Sequence, residues 1–329
     1  MEKREEIKND PHLQSPRIYP VHLRQSVHAP LKKLACNLRK HKIVYLMFIP
    51  VFAYYLIFHY YPMYGALIAF KNYIPGGSFH CEWVGLKHFR AFFSSYYFPR
   101  LLRNTLLISF YSLLFGFPAP ILLAFLLNEL KSKRYKRIVQ TVTYLPHFLS
   151  LMVVCGMILN FFSSGGFVNS IIVALGGERK NFLMDPACFR PLYIGSGIWQ
   201  TIGWGSIVYL AALTGIDPSL YEAARIDGAG RFSQAVHITL PGIMPTIIVL
   251  LILKIGNLMN VGYEKIILLY NDLTMETADV ISSFVYRKGL LNANYSYSAA
   301  IGIFNSIINF GLVIIANALS RTVKQTSLW

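Results

Sequence analysis

The sequence predicts an all-α membrane protein with six transmembrane helices, and three observations carry that reading. Of its 329 residues, 54% are hydrophobic and 14% charged, whereas soluble domains carry about 25% charged residues. Mean hydropathy is +0.45. Six apolar runs each approach the roughly 20 residues that a helix needs to cross the hydrocarbon core. Finally, Lys and Arg fall unevenly on alternate connecting segments. Segments 1–42, 128–137, 214–240 and 319–329 hold 19 of the 31, and segments 64–100, 163–190 and 263–297 hold 10, with Arg103 and Lys254 left over. The positive-inside rule places the first set, with both termini, in the cytoplasm. The formal charge of +16 is thereby a topology signal. With neither a soluble basic domain nor a recognition motif, nucleic acid is not an expected partner.

Residues 1–42 form a cytoplasmic basic tail with four prolines and no apolar core. The acidic Glu2, Glu5, Glu6 and Asp10 and the length of this leader argue against a cleavable signal peptide. Leu31, Leu34, Ala35 and Leu38 repeat at helical spacing among lysines and arginines. Two readings stand: an interfacial helix on membrane lipid, or a solvated tail that sets topology.

The transmembrane domain is 43–329, with spans at about 43–63, 101–127, 138–162, 191–213, 241–262 and 298–319. Tyr60, Tyr61 and Tyr64 fit an aromatic belt at the outer end of the first. Pro75-Gly76-Gly77 predicts a turn. Pro118 and Pro120 predict a kink or break in the second span, and Pro146 lies inside the third. Ser163-Ser164-Gly165-Gly166 reads as a turn, since no P-loop is present. In the fourth span Gly195, Gly197, Gly203 and Gly205 permit close helix packing around Trp199 and Trp204.

Between the fourth and fifth spans lies a polar island, Tyr221-Glu222-Ala223-Ala224-Arg225-Ile226-Asp227-Gly228-Ala229-Gly230-Arg231-Phe232, leading to Ile238-Thr239-Leu240-Pro241. Asp217 or Ser219 can cap a helix that has Pro218 in its first turn, and Ser219 with Glu222 fits a capping box. Gly228 and Gly230 stop that helix and permit positive φ. A short second helix from about Arg231 to Ile238 leads into Pro241. Two short helices and a tight turn between membrane spans point to a docking partner.

Glu222-Ala223-Ala224, Asp227-Gly228-Ala229 and Ile238-Thr239-Leu240-Pro241 together resemble the cytoplasmic EAA loop of ABC-importer permease subunits. Trp83-Val84-Gly85-Leu86 with Phe89, Asn181 to Pro186, Gly262-Tyr263-Glu264-Lys265 and Tyr286-Arg287-Lys288-Gly289 extend the resemblance to sugar-importer permeases. More narrowly they are similar to the branch handling oligo- and polysaccharides, within which the chain resembles an alginate-type importer. The resemblance covers roughly residues 43–329. It implies a type I importer fold in the bacterial inner membrane, a heterodimer with a second permease, two ATPase subunits and an extracytoplasmic solute-binding protein. It also implies a carbohydrate substrate. This chain would then be non-catalytic and hold no cofactor, ATP and Mg²⁺ being bound by the ATPases. Tyr221, Glu222, Ala223, Ala224, Asp227, Gly228, Ala229, Gly230, Leu240 and Pro241 would form the ATPase-coupling loop. Parts of the outer segments 64–100, 163–190 and 263–297 would receive the binding protein, with Trp83 and Phe89 packing within their own segment.

Other chemistry is sparse. The nine histidines show no metal spacing. No CxxC occurs among Cys36, Cys81, Cys155 and Cys188; Cys81 and Cys188 share the outer side, where a disulfide is permitted, and reduced thiols are the favoured state. No nucleophile–base pair suggests an enzyme. A secondary transporter or a membrane scaffold is the alternative function, although the six spans hold no acidic residue for a proton relay.

Lys254 lies 13 residues beyond Pro241, roughly 20 Å into a fifth helix at 1.5 Å per residue. An ammonium there costs about 2.5–3.5 kcal/mol on insertion scales and needs water or a partner. Lys254, Asn257 and Glu264 should project from similar sides of that helix. Either the stripe lines the substrate path and favours an anionic or strongly hydroxylated sugar, or Lys254 pairs with the second permease or snorkels outward. Trp199 and Asn305 are the further path candidates.

Overall fold

The structure is a computed structural model describing residues 41–77 and 81–324. The proposed helix at 31–38, Cys36 and the last five residues lie outside the described residues. The chain divides into two compact units, Met1–Tyr64 and Gly65–Trp329. In the first, helix α1 (Lys42–Tyr55) passes through a π turn, Leu56–Tyr60, into Tyr61–Met63, and none of these residues is buried. Tyr60, Tyr61 and Tyr64 are well exposed, like the rest of this helix.

Leading into the second unit, a 3-10 stretch, Tyr64–Phe70, precedes an isolated bridge between Lys71 and Trp83. The Phe70 ring stacks on Trp83 and packs against Phe89, each at 5.5 Å. Trp83 and Phe89 thus do pack within their own segment. The predicted turn forms at Gly76, whose φ is +81°. After α2 (Lys87–Phe93) come α3 (Phe98–Gly116) and α4 (Pro118–Glu129). The break that the prolines predict falls at Phe117, because Pro118 has no N–H to continue the ladder.

The third apolar run is not one helix. α5 (Lys133–Tyr144), capped by Ser132, ends in a 3-10 turn, Leu145–Phe148, and Ser150 caps a new helix, α6 (Leu151–Phe161). The pair is bent by 102°. Pro146 has no N–H to continue the α-helical ladder, the chain tightens into the 3-10 turn, Leu149 and Ser150 are extended, and the Ser150 hydroxyl restarts the ladder. Gly166 N–H bonds to Ser163 O at 2.9 Å, closing the Ser-Ser-Gly-Gly turn ahead of α7 (Phe167–Ala174).

α8 (Pro186–Leu213) is the organising helix, 28 residues long and capped by Asp185. Its small residues work as expected at two of the four glycines. A Cβ on Gly203 would lie 2.1 Å from the Thr143 carbonyl oxygen, and one on Gly205 would press on Pro120 at 3.0 Å. α8 therefore lies directly on α5 and α4. Gly195 meets nothing within 4 Å.

Next follow α9 (Pro218–Ile226), α10 (Arg231–Gln234), a π turn, Ala235–Thr239, and α11 (Leu240–Gly256). Short helices α12 (Tyr263–Leu269), α13 (Met275–Ala278) and α14 (Ile281–Tyr286) lead through another π turn, Arg287–Leu291, to α15 (Tyr295–Lys324).

Among the described residues, four helical runs are long and apolar enough to cross a membrane: Lys42–Phe70, Phe98–Glu129, Arg231–Gly256 and Tyr295–Arg321. The bent pair α5–α6 makes a fifth if it counts as one span. α8 has the length, but glycine, serine, threonine and Gln200 dilute its apolar character. Beyond the single bridge, no strand occurs among the described residues.

Three buried clusters hold the second unit together. One joins Ile108, Val154, Ile158, Phe189 and Ile266; another joins Phe92, Leu101, Met259, Phe284 and Ile301. The last, Ala124, Tyr209, Leu213, Ile243 and Ile247, packs α4, α8 and α11 together beside the polar island. Cys155 is buried in the first, and neither Cys81 nor Cys188 is in a disulfide.

Candidate functional site

At the start of α11 the polar island folds by local chemistry. Asp217 is the cap: its carboxylate accepts from Ser219 N–H at 2.9 Å, with Pro218 in the first turn. That bond holds the Asp217 carboxyl below its ordinary pKa. Of the two possible caps the structure selects Asp217, so the Ser219–Glu222 capping box does not form. Glu222 falls beyond the third helical position and is solvent-exposed. α9 ends as the glycine pattern predicts. Gly228 has φ +77°, and its N–H bonds to Arg225 O while Ala229 N–H bonds to Ala224 O, a left-handed C-cap. Gly230, with φ −69°, caps α10.

A hydrogen-bond chain ties the two short helices to α11. Gln234 Nε2 donates to Ala229 O at 2.8 Å, the Thr239 hydroxyl bonds to Gln234 O at 3.3 Å, and Tyr221 OH bonds to Thr239 Oγ1 at 3.0 Å. Arg231 reaches Glu129 of α4 at 3.6 Å. The result is an open polar groove of about 710 Å³, lined by Glu129, Tyr221, Glu222, Arg225 and Arg231 among others. Beside it Ile226 and Phe232 are 87% and 84% exposed. Ala223, Asp227 and Gly228 are exposed, and Ala224 and Ala229 half-buried. Leu240 and Pro241 begin α11, with Leu240 packed on the third cluster.

The far end of α11 departs from expectation. The helix stops at Gly256 with Asn257 as its C-cap, so the single helix to residue 262 does not exist. Lys254 therefore lies in the last turn, where unsatisfied carbonyls favour a cation, rather than in mid-helix. Glu264 sits on the separate helix α12 and is not on one stripe with Lys254 and Asn257. Lys254 and Asn257 do share a cavity of about 280 Å³ with Ser109, Ser112, Tyr193 and Asn260.

Asn305 joins this region through residues that the sequence does not flag. Asn260 Oδ1 accepts from Asn305 Nδ2 at 2.9 Å and Asn309 Nδ2 at 3.0 Å, while Asn260 Nδ2 donates to Asn257 Oδ1 at 3.3 Å. Asn309 also accepts from Met259 N–H at 3.0 Å, and Ser109 Oγ bonds to Leu258 O. Lys265 is buried, donates to Tyr193 O at 2.9 Å and lies over the Tyr193 ring. Asn305 and Asn309 are four residues apart on α15, a spacing that puts both amides on one helix face and could have revealed the cluster. Trp199 is elsewhere, on an apolar groove of about 400 Å³ between α6 and α8.

This geometry combines an exposed polar loop with a polar pocket at opposite ends of one membrane-length helix. Residues 116–325 match the model of the binding-protein-dependent transport system inner membrane component. The chain belongs to that family. The permease is 46% identical over 294 residues to Protein LplB of Bacillus subtilis (strain 168), covering 89% of this chain and 92% of that protein. It is 45% identical over 300 residues to the polygalacturonan/rhamnogalacturonan transport system permease protein YteP of the same organism, covering 91% and 94%. Its fold matches a chain of a bacterial ABC transporter involved in the import of the acidic polysaccharide alginate, with TM-score 0.83 and 46% identity over 89% of this chain and 99% of that one. It also matches a chain of a bacterial alginate ABC transporter in complex with alginate pentasaccharide-bound periplasmic protein, with TM-score 0.84, 46% identity and coverage of 90% and 100%. The permease is thus a multi-pass membrane component of a binding-protein-dependent ABC transporter. Neither a secondary transporter nor a passive scaffold fits this family.

Proposed function

We propose that this permease is one half of a heterodimeric conduit for oligo- or polysaccharide uptake, working with a second permease, two ATPase subunits and an extracytoplasmic solute-binding protein. The ATPases would hold ATP and Mg²⁺. The chain would cross the membrane six times as a 43–329 domain, counting α8 and the bent α5–α6 pair, with residues 1–42 and the C-terminus in the cytoplasm. α8 can cross despite its polarity because Gly203 and Gly205 pack closely on α5 and α4 and the hydroxyls of Ser196, Thr201 and Ser206 bond to carbonyls of their own helix. Tyr221 to Gly230, with Leu240 and Pro241, would seat in the ATPase.

One observation carries this reading. α11 starts at the exposed loop and ends at the Lys254–Asn257–Asn260 pocket, with Asn305 bonded into that cluster. Its 17 residues span about 25 Å at 1.5 Å per residue. Movement of the loop, braced to Thr239 by Tyr221, would therefore reach the pocket through a rigid element. Amides and one ammonium suit a hydroxyl-rich ligand, since each offers donors to sugar oxygens. Glu264 and Trp199 stand outside this pocket and would line other parts of the path. The saccharide transport of YteP and of the alginate importer supports a carbohydrate substrate.

The test is reconstitution of the whole complex in proteoliposomes. Saccharide-loaded binding protein should raise ATP hydrolysis and deliver saccharide across the bilayer. ATP hydrolysis that never responds to any loaded binding protein would sink the proposal.

A further inference from the structure

A second polar cavity, of about 1140 Å³, lies away from the Lys254 pocket. It opens where α3 and α8 begin, beside α13. Arg100, Arg103 and Arg190 line it with Asn104, and Tyr96 stands at its edge, 88% exposed. Asp272 and Glu276 line it too, so its formal charge is only slightly positive. Its capacity for anions comes from how the guanidiniums are held.

Asn104 is buried and fully committed. Its Nδ2 donates to Glu276 O at 2.8 Å and Asp279 O at 2.9 Å, which leaves Oδ1 to accept from Arg190 Nη2 at 2.9 Å. Arg190 is thereby fixed without a carboxylate. Arg100 approaches Asp279 at 3.6 Å and lies over the Tyr97 ring, but Asp279 is already engaged by Arg287 at 2.6 Å and by the Ser283 hydroxyl at 2.7 Å. The Nε atoms of Arg100 and Arg190 are buried and find no acceptor among the described residues. A buried charged donor without an acceptor is costly, and a planar guanidinium fork matches a carboxylate.

We infer that this cavity is a vestibule that receives the carboxylates of an acidic oligosaccharide, a chain of uronate sugars, before the saccharide reaches the Lys254–Asn260 pocket. This rests on the saccharide-permease reading above and on the outer placement of residues 64–100, 163–190 and 263–297. Arg190 and Arg100 offer the directional donors, Arg103 adds charge at the rim, and Tyr96 offers a flat apolar face to a sugar ring. Asp272 and Glu276 would repel misplaced carboxylates and so fix the register of the chain. A recessed cavity walled by three guanidiniums suits a thin saccharide strand better than the surface of the binding protein.

The test uses the assembled transporter in proteoliposomes with a single reporter, Leu273→Cys, on the cavity wall. Maleimide labelling at position 273 is followed by peptide mass while a hexuronate oligosaccharide or its carboxyl-reduced form is added. The hexuronate should protect the cysteine and the neutral form should not. Arg103→Gln should weaken that protection about tenfold in apparent Kd, the worth of one charge-assisted contact, and Arg190→Lys, which keeps the charge but loses the fork, should weaken it too. Arg103 is exposed, so its variant tests the site without threatening the fold. Equal protection by both saccharides, or none in a preparation that still takes up the hexuronate, overturns the vestibule and leaves the permease reading intact. Protection by unliganded binding protein alone would show that the arginines receive that protein instead, and also overturns it. A preparation that takes up neither saccharide while the binding protein carries the hexuronate counts against the permease reading itself.

Discussion

At its N-terminal end α11 meets a loop shaped by near neighbours in sequence: Asp217 caps two residues on, and Gly228 turns the chain within one helical turn. At its C-terminal end it meets amides supplied from 45 to 50 residues away. The first construction leaves its apolar residues Ile226 and Phe232 exposed; the second ties its amides to one another around the buried Asn309, with Lys254, Asn257 and Asn260 left open to the cavity. An exposed loop can be assembled from caps and turns that act between near neighbours. A cluster of amides joined to one another draws on residues far apart in sequence, and here that takes α11, α15 and the segment after Gly256.

The contrast can be broken most severely at Gly228. Its φ of +77° costs a non-glycine residue about 1–2 kcal/mol and a β-branched one more. Gly228→Val should leave the permease inserted while coupled uptake falls to background, measured in proteoliposomes. Normal uptake would remove the loop from the coupling path.

At the other end, Asn309→Leu strips Asn260 of one donor and leaves Met259 N–H buried without its acceptor. A loss of about 1–3 kcal/mol is expected, seen as a lower unfolding temperature of the purified complex. An unchanged midpoint would mean that the amide cluster does not hold the pocket together.

Lys254→Met should be milder. The complex should assemble and hydrolyse ATP basally, with uptake slowed several-fold, about the effect of losing one hydrogen bond. Failed assembly with the second permease would instead favour the pairing role for Lys254. Smallest is Tyr221→Phe, which removes one hydroxyl from the Thr239 brace. It should cost about 0.5–1.5 kcal/mol and uncouple hydrolysis from uptake slightly; strict coupling in that variant would make the brace irrelevant.

Legibility in the sequence follows the same divide. The Gly228 turn, the Pro118 break and the contacts of Gly203 and Gly205 in α8 could be read from residues, because caps, prolines and small side chains act over a few positions. The 102° bend after Pro146 was hidden because the run averages out as apolar over a membrane-length window, and hydropathy cannot see that Ser150 restarts a helix. The end of α11 at Gly256 was hidden for the same reason. A stripe drawn through Glu264 assumed a helix that tertiary contacts had already replaced. Asn260 and Asn309 carry little signal alone; they matter because α11 and α15 bring them together. Trp199, conspicuous in sequence, faces a different groove.

The most direct test of the account is site-specific photo-crosslinking at Phe232 in the fully assembled transporter, with a photoreactive amino acid replacing the exposed ring. One major adduct is expected, identified by mass as permease joined to ATPase subunit, and none from the same probe placed at Leu273. An assembled, hydrolysing complex in which position 232 captures no ATPase would contradict it.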